Sequence, residues 1–457
     1  MEKKINAFIQ EGHQFERVLL SKAEALEIFK DNPFKLHIIS NKIPEDGVIS
    51  AYKCGSFIDL CKGPHLPSVS FLKAFKILSV AQASWQGEEN LKKEVDRVYG
   101  ISFPSKAELN EFVEWQKKIA SSDHRHIAIQ QNLFFFHPAS PAAGFFYPAG
   151  AKIYNKLIEM IRKQYWIRGY QEVISPCLYN KSMWDISGHS NSFNKNMFEI
   201  KVEDQDFSLK PMNCPAHCLI FGSKLHSYRD FPLRYADFGV LHRNEVSGSL
   251  QGLIRLRKFQ QDDSHIFCRV DQVMDEVMEV LSFMKYVYDL FGLDYKVILA
   301  TKPDNALGDE KLWDKAEQSL KEALEKFGKP FELAPGEGAF YGPKIEVHLR
   351  DIRKRYFQCG TIQLDFVLPE RFDLKYRVSG EEESKSNFER PVMIHKAILG
   401  SIERFFALLI EGCQGKWPFW LSPKQIKVIP VNERAIDYAE KVYLRLKLVW
   451  ESVDSWN

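Results

Sequence analysis

One cysteine and two histidines, Cys214, His265 and His395, stand in three segments, of which the second and third also carry arginine, glutamate or aspartate. The segments read KPMNCPAH (Lys210 to His217), HRNE with FQQDDSHIFC (His242 to Glu245, Phe259 to Cys268), and PVMIHKAILGSIERF (Pro391 to Phe405). A thiol and two imidazoles are a metal-ligand set, and three protein ligands with a fourth position open is the arrangement of a catalytic zinc. Their separations along the chain are too long for a zinc finger, so only the fold can bring them together. Taken singly, each has a plainer reading: a lone Cys is commonly an inert buried thiol, and a lone His a hydrogen-bonded core residue. His217 and Cys218 are close enough to Cys214 to replace it as a ligand.

Two further positions could handle charged ligands. Arg243 and Glu245 follow a strand-like run and precede a flexible loop. A guanidinium there can grip a phosphate or carboxylate bidentately, and a carboxylate can accept from an exocyclic amine such as that of adenine. The alternative is a solvent-facing ion pair. Arg404 is expected one turn into a helix that starts at AILGSIERFF, where Ala, Gly and Ser permit close approach of a nucleotide whose terminal phosphate the arginine could reach. The alternative is a small-residue packing face with a surface arginine.

The elements that must position these groups are partly legible. Ser21 and Glu24 have capping-box spacing before a short helix that stops ahead of Pro33. Ile153, Leu157, Ile161 and Tyr165 recur at helical spacing up to Gly169, a natural C-terminal stop, and YQEVISP then reads as a strand closed by Pro176. Two strand-like runs between Ala236 and Cys268 flank SGSLQGLIRL, which predicts a long antiparallel hairpin. Beyond it come an amphipathic helix (DQVMDEVMEVLSFMKYVYDLFG), the strand KVILAT, a second helix over Lys311 to Gly328, and two strands (AFYGPKIEVHLRD, YFQCGTIQLDFVL) separated by the basic turn IRKR. The acidic run Glu381 to Glu383 reads as a solvated loop, and QIKVIPV opens a last unit. The fold class expected is α+β.

The chain has 457 residues, long enough for two to three domains. At 45% hydrophobic and 27% charged its composition is that of a globular protein, and a net charge of +2 leaves any nucleic-acid contact to local basic patches. Eight cysteines, no signal-like start and no apolar run near the roughly 20 residues that span a bilayer predict a soluble cytoplasmic protein with reduced thiols and no membrane contact.

Taken in order, HRNE, QQDDSHIFC, FYGPKIE and IHKAILGSIERF resemble the class II aminoacyl-tRNA synthetases, specifically the threonyl-tRNA synthetases of the eukaryotic cytosolic type, over nearly all of the chain. The resemblance implies a catalytic domain built on an antiparallel sheet with flanking helices, using ATP with magnesium, L-threonine and tRNA(Thr), and paired as a homodimer through the long helix before Pro176. It implies that Arg243 holds the α-phosphate and the threonine carboxylate, Glu245 the adenine amine, and Arg404 the γ-phosphate. Lys344 would approach the α-phosphate side, Gln358 and Gln363 would line the pocket, and Gln261, Asp263 and Tyr341 would contact the amino acid. Zinc would be held by Cys214, His265 and His395.

The resemblance also divides the chain: a partial editing domain over 1–104, a helical connector over 105–135, the catalytic domain over 136–417, and the start of an incomplete anticodon-binding domain over 418–457. Cys61 and His65, in CKGPH, resemble one half of a hydrolytic editing site. Its other half is a His-x-x-x-His pair upstream, and only His13 and His37 precede Cys61, so intact editing is not expected. Both ends are expected to be truncated, with anticodon recognition impaired. The rival expectation is a catalytically impaired paralogue or variant that acts in tRNA binding or dimerisation.

Overall fold

The computed structural model describes residues 1–84, 94–378, 387–449 and 453–454; the acidic run Glu381 to Glu383 lies outside them. The chain divides into two compact units, Met1–Ala120 and Ser121–Asn457.

In the first unit, strands β1 (Phe15–Ser21), β2 (Val48–Cys54) and β3 (Phe57–Leu60) form an antiparallel sheet. Helices α1 (Lys22–Ile28) and α2 (Pro33–Lys42) connect β1 to β2. The capping box at Ser21 is formed, its hydroxyl accepting from the Glu24 amide while the Glu24 carboxylate accepts from the Ser21 amide. Leu20, Ala25, Phe29, Ile39, Ile49 and Ala51 make a small core of their own.

In the second unit, α3 (His124–Gln131) is capped by Asp123, whose carboxylate accepts from the Arg125 amide and also takes the Arg353 guanidinium from the basic turn. Helix α4 (Pro148–Ile167) has proline in its first turn, and Gly169 follows it at φ +74. Its Ile153, Leu157, Ile161 and Tyr165 are all buried, each side chain contributing about 1.5–3 kcal/mol of transfer free energy.

The main sheet takes β4 (Gln171–Glu172), β5 (Leu233–Asp237), β6 (Val240–His242), β7 (Lys258–Cys268), β8 (Tyr295–Ala300), β9 (Phe331–Ala334), β10 (Lys344–Arg350), β11 (Tyr356–Asp365) and β12 (Val392–Ser401). Its order is β9-β8-β10-β11-β12-β7-β5-β4, with β6 pairing β7 as the expected hairpin. The central pairings are antiparallel, and only the two outermost, β8 with β9 and β5 with β4, run parallel. Helices α5 (Cys214–Gly222), α6 (Val273–Leu290), α7 (Glu310–Phe327) and α8 (Ile402–Cys413) lie in the same unit. One face of the sheet merges with α4, α6, α7 and α8 in a continuous apolar core; α5 packs a smaller one on Tyr235, Phe267 and Met393.

The expected strands YQEVISP and QIKVIPV shrink to Gln171–Glu172 and Ile426–Lys427, and one expected helix start changes. The segment AILGS, predicted as the start of a helix, is the end of β12, and α8 begins only at Ile402 with the Ser401 hydroxyl accepting from the Arg404 amide. Here β12 bulges against β7, between its pairings with Gln261 and Asp263, and the Asp262 carboxylate of β7 accepts there from the Ile398 and Leu399 amides. Those amides are thereby taken by the Asp262 side chain. Gly400, at φ +71, then turns the chain past β11, where a Cβ would meet the Cys359 carbonyl oxygen at 2.5 Å.

Candidate functional site

Side chains alternate along a strand, so Gln261, Asp263 and His265 on β7, His395 and Ala397 on β12, and Thr361, Gln363 and Asp365 on β11 share one face. The register sets them in rows. His265 pairs with His395 and His395 with Gln363; Asp263 pairs with Ala397 and Ala397 with Thr361. This face is the floor of a cleft of about 380 Å³. Cys214, Arg243, Glu245, Gln261, Asp263, His265, Tyr341, Lys344, Gln358, Gln363, His395 and Arg404 all line it, so the fold brings together every one of these predicted residues. Cys61 and His65 lie in the first unit. There the Gly63 amide donates to Cys61 Sγ at 3.4 Å, and His65 packs on Phe15 and Tyr52.

The cysteine and the two histidines form a compact donor cluster, with one ligand atom from each within 4.8 Å of the others and all three residues buried. Cys214 is the first residue of α5, while the two histidines face each other across the β7–β12 ladder. His265 Nε2 and His395 Nδ1 are 3.0 Å apart. Two nitrogens on one tetrahedral zinc stand about 3.3 Å apart, so the spacing fits a shared ion closely.

The outer nitrogens fit as well. His395 Nε2 lies 2.7 Å from the Asp365 carboxylate, and His265 Nδ1 lies 2.7 Å from His217 Nδ1. Such contacts fix which nitrogen of a ligand imidazole faces the metal. Burial pushes the Cys214 thiol well above its usual range, the Asp263 carboxylate adding to the effect; burial with His217 and His395 holds His265 well below its own. Without a cation the Cys214 thiol and the His265 imidazole are therefore neutral, and a divalent ion is what would favour the thiolate.

Arg243 and Arg404 face the same cleft. Arg243 Nε donates to the Pro211 carbonyl at 3.3 Å, and its guanidinium lies over the Phe259 and Phe193 rings. Arg404 Nε donates to the Ile254 carbonyl at 2.9 Å and Nη1 to that of Gln358 at 2.5 Å. Among the described residues neither has a carboxylate partner within ion-pair distance. Burial and the like charge of Arg404 hold the Arg243 guanidinium below its usual range. Two guanidiniums so placed attract a polyanion.

Other predicted residues are already engaged. Glu245 takes a forked contact from Arg255 at 2.7 and 3.0 Å, and Lys344 pairs with Glu346 at 2.6 Å. Tyr341 lays its ring against His395 and donates to the Gln363 side chain, while Asp263 accepts from Asn213 Nδ2 at 3.0 Å. Burial raises the Asp263 carboxylate, with His217, His395 and Asn213 opposing it.

Asp365, Arg255 and Phe259 were not picked out as site residues from the sequence. Asp365 was within reach, because it shares the two-residue alternation of Gln363; Arg255 and Phe259 have no local signal.

The family model described as "tRNA synthetase class II core domain (G, H, P, S and T)" matches residues 197–412, and "Threonyl and Alanyl tRNA synthetase second additional domain" matches residues 49–99. The chain is 51% identical over 438 residues to threonine–tRNA ligase, mitochondrial 1, of Arabidopsis thaliana, which covers 96% of this chain and 61% of the relative. It is 49% identical over 439 residues to the cytoplasmic threonine–tRNA ligase of Caenorhabditis elegans, covering 96% and 60%. The chain thus spans about three fifths of these relatives. The crystal structure of the RNA binding domain of threonyl-tRNA synthetase from Cryptosporidium parvum Iowa II superposes with a TM-score of 0.70 at 48% identity, over 73% of this chain and 83% of that one.

Proposed function

We propose, because the chain belongs to the threonyl-tRNA synthetase family of class II aminoacyl-tRNA synthetases, that its cleft joins L-threonine to ATP and passes the threonyl group to tRNA(Thr). The observation that carries this reading is the convergence of the Cys214, His265, His395 cluster with the Arg243 and Arg404 guanidiniums in one cleft. The threonine carboxylate attacks the α-phosphorus of ATP and pyrophosphate leaves; a hydroxyl of the tRNA 3′ end then attacks the adenylate's carbonyl carbon, taking the threonyl group as AMP leaves.

Little acid–base chemistry is needed, and rate comes from positioning and charge. Arg243 spans the carboxylate and α-phosphate, and Arg404 holds the γ-phosphate. Lys344 reaches the α-phosphate side by leaving Glu346, and Glu245 accepts from the adenine amine by leaving Arg255. Gln358 and Gln363 line the nucleotide and substrate pocket. Magnesium enters with ATP as part of that substrate.

Cys214, His265 and His395 would hold a zinc ion, which would supply a Lewis-acid position for the amino and hydroxyl groups of threonine. Gln261, Asp263 and Tyr341 contact the amino acid. Valine lacks the hydroxyl and leaves the Asp263 contact unmade, which a buried polar site rejects strongly; serine lacks one methyl, worth only about 1–3 kcal/mol. Serine therefore calls for editing, and Cys61 with His65 supplies half of such a site.

In the same reading 1–104 is a partial editing domain, 105–135 a connector, 136–417 the catalytic domain and 418–457 the start of an anticodon-binding domain. A homodimer forms through α4 and the segment after it, where Trp166, Ile167, Ile174 and Leu178 are exposed. The cytoplasmic relative supports a cytosolic enzyme, the Arabidopsis protein being the mitochondrial counterpart. Threonine-dependent ATP–pyrophosphate exchange followed by tRNA charging tests the whole reading: exchange is expected, and its absence with zinc bound removes the proposal. The purified chain should hold about one zinc, lost in Cys214→Ser and His395→Ala; full metal in both variants would overturn the ligand set.

A further inference from the structure

We infer that His124, together with Glu411, is a positioning residue for ATP, acting through the loop that holds Arg404. This inference rests on the reading of Arg404 as the γ-phosphate residue. His124 opens α3 and is 2% exposed; the sequence placed it in a connector with no role in the site. Its Nδ1 lies 2.7 Å from Glu411 Oε1 on α8, and its Nε2 accepts from the Leu253 amide at 3.2 Å. Leu253 and Ile254 belong to the loop between β6 and β7, and the Ile254 carbonyl accepts from Arg404 Nε at 2.9 Å.

A closed circuit results, in which Arg404 and Glu411 extend from one helix, the loop bonds to Arg404, and His124 bonds the loop to Glu411. The Leu253 N–H aims at Nε2, so that nitrogen carries the lone pair and Nδ1 carries the proton it gives to Glu411. The imidazole is thus used on both sides. Glu411 is itself buried, and its Oε2 has no partner among the described residues, while its Oε1 takes both the His124 ring at 2.7 Å and the His124 amide at 3.4 Å.

Gly252 closes the fit. Its φ is +48, and a Cβ there would stand 2.2 Å from His124 Nε2, so the loop can lie against the imidazole only with glycine at this position. Asp123 and Arg353, which meet at 3.3 Å, fix the helix end that carries His124. A loop held this firmly presents the Ile254 carbonyl at a set place, and that carbonyl directs one edge of the Arg404 guanidinium and so the donors left for phosphate.

The test is threonine-dependent ATP–pyrophosphate exchange on the full chain. His124→Ala is expected to lower kcat/KM for ATP by roughly 10- to 100-fold, with the KM for threonine and the zinc content unchanged. His124→Gln can still accept from Leu253 and donate to Glu411, and should restore most of the loss. Gly252→Ala disturbs the same contact from the loop side and should reproduce the ATP defect if His124→Ala does not fold. Arg404→Ala, measured alongside, separates the two layers. If Arg404→Ala leaves ATP use unchanged, the phosphate role itself fails. If it impairs ATP use while His124→Ala and Gly252→Ala do not, or if those two weaken threonine and ATP equally, the positioning role is overturned.

Discussion

Asp365 and His217 touch no substrate in the proposed reaction, yet each engages the outer nitrogen of a histidine of the donor cluster. Removing such a contact leaves the ligand in place but frees its ring, and second-shell losses of this kind weaken metal binding by roughly 10- to 100-fold. Asp365→Asn is therefore expected to lower zinc affinity by about that factor while Asp262→Asn, on the opposite face of β7, leaves zinc affinity alone; competition with a chelator measures both. His189 gives a separate prediction. It bonds to Ser187 and Met212, and burial takes its pKa down to about 3. The unfolded chain binds this proton near pH 6.5 and the folded one does not, so stability falls as pH drops below 6.5, by about 1.4 kcal/mol per pH unit. His189→Gln should flatten the fall in thermal midpoint between pH 7 and pH 5; an unchanged slope would place the acid sensitivity elsewhere.

At the scale of elements, periodicity showed most of what was there to be read. The apolar spacing of α4, the capping box before α1, and the hairpin of β6 and β7 all formed as their residues dictate. The end of β12 did not, because Ala, Gly and Ser suit a helix start as well as a strand end. What decides the matter is a bulge in β12 held by the Asp262 carboxylate of the neighbouring strand, which no local pattern reports. Close packing around α4 was equally invisible: a Cβ on Gly150 would meet the Leu133 carbonyl oxygen at 2.0 Å. Backbone cannot yield as a side-chain tip can, so Gly150→Ala should destabilise by about 1–3 kcal/mol, read as a lower urea midpoint with an unchanged slope.

For the whole molecule, the metal set and the guanidiniums are dispersed over 191 sequence positions from Cys214 to Arg404, and spacing alone could not join them. Family resemblance supplied the grouping; the sheet register supplies its cause. Since the cleft belongs to Ser121–Asn457, that fragment alone is expected to sustain ATP–pyrophosphate exchange within a few-fold of the full chain. Exchange lost on removing Met1–Ala120 would show that activation needs the first unit. The apolar patch after α4 makes an independent prediction, since Ile174 is 89% exposed. Ile174→Asp should shift the chain from dimer to monomer in sedimentation, and a monomeric parent protein would remove the dimer from the proposal.

Neighbours on β12 have opposite surroundings. His395 belongs to the donor cluster, while Lys396 Nζ lies beneath, 4.0 to 4.6 Å from the ring centres of Tyr165, Tyr170 and Phe283. The strand is thus intolerant of a change in parity. Inserting or deleting a single residue between Val392 and His395 would turn the lysine toward the cleft and the imidazole into the aromatic layer, exchanging two chemistries at once. A two-residue change preserves the facing. In the gene, then, three- and six-nucleotide indels here should have opposite fates, the shorter being the more harmful.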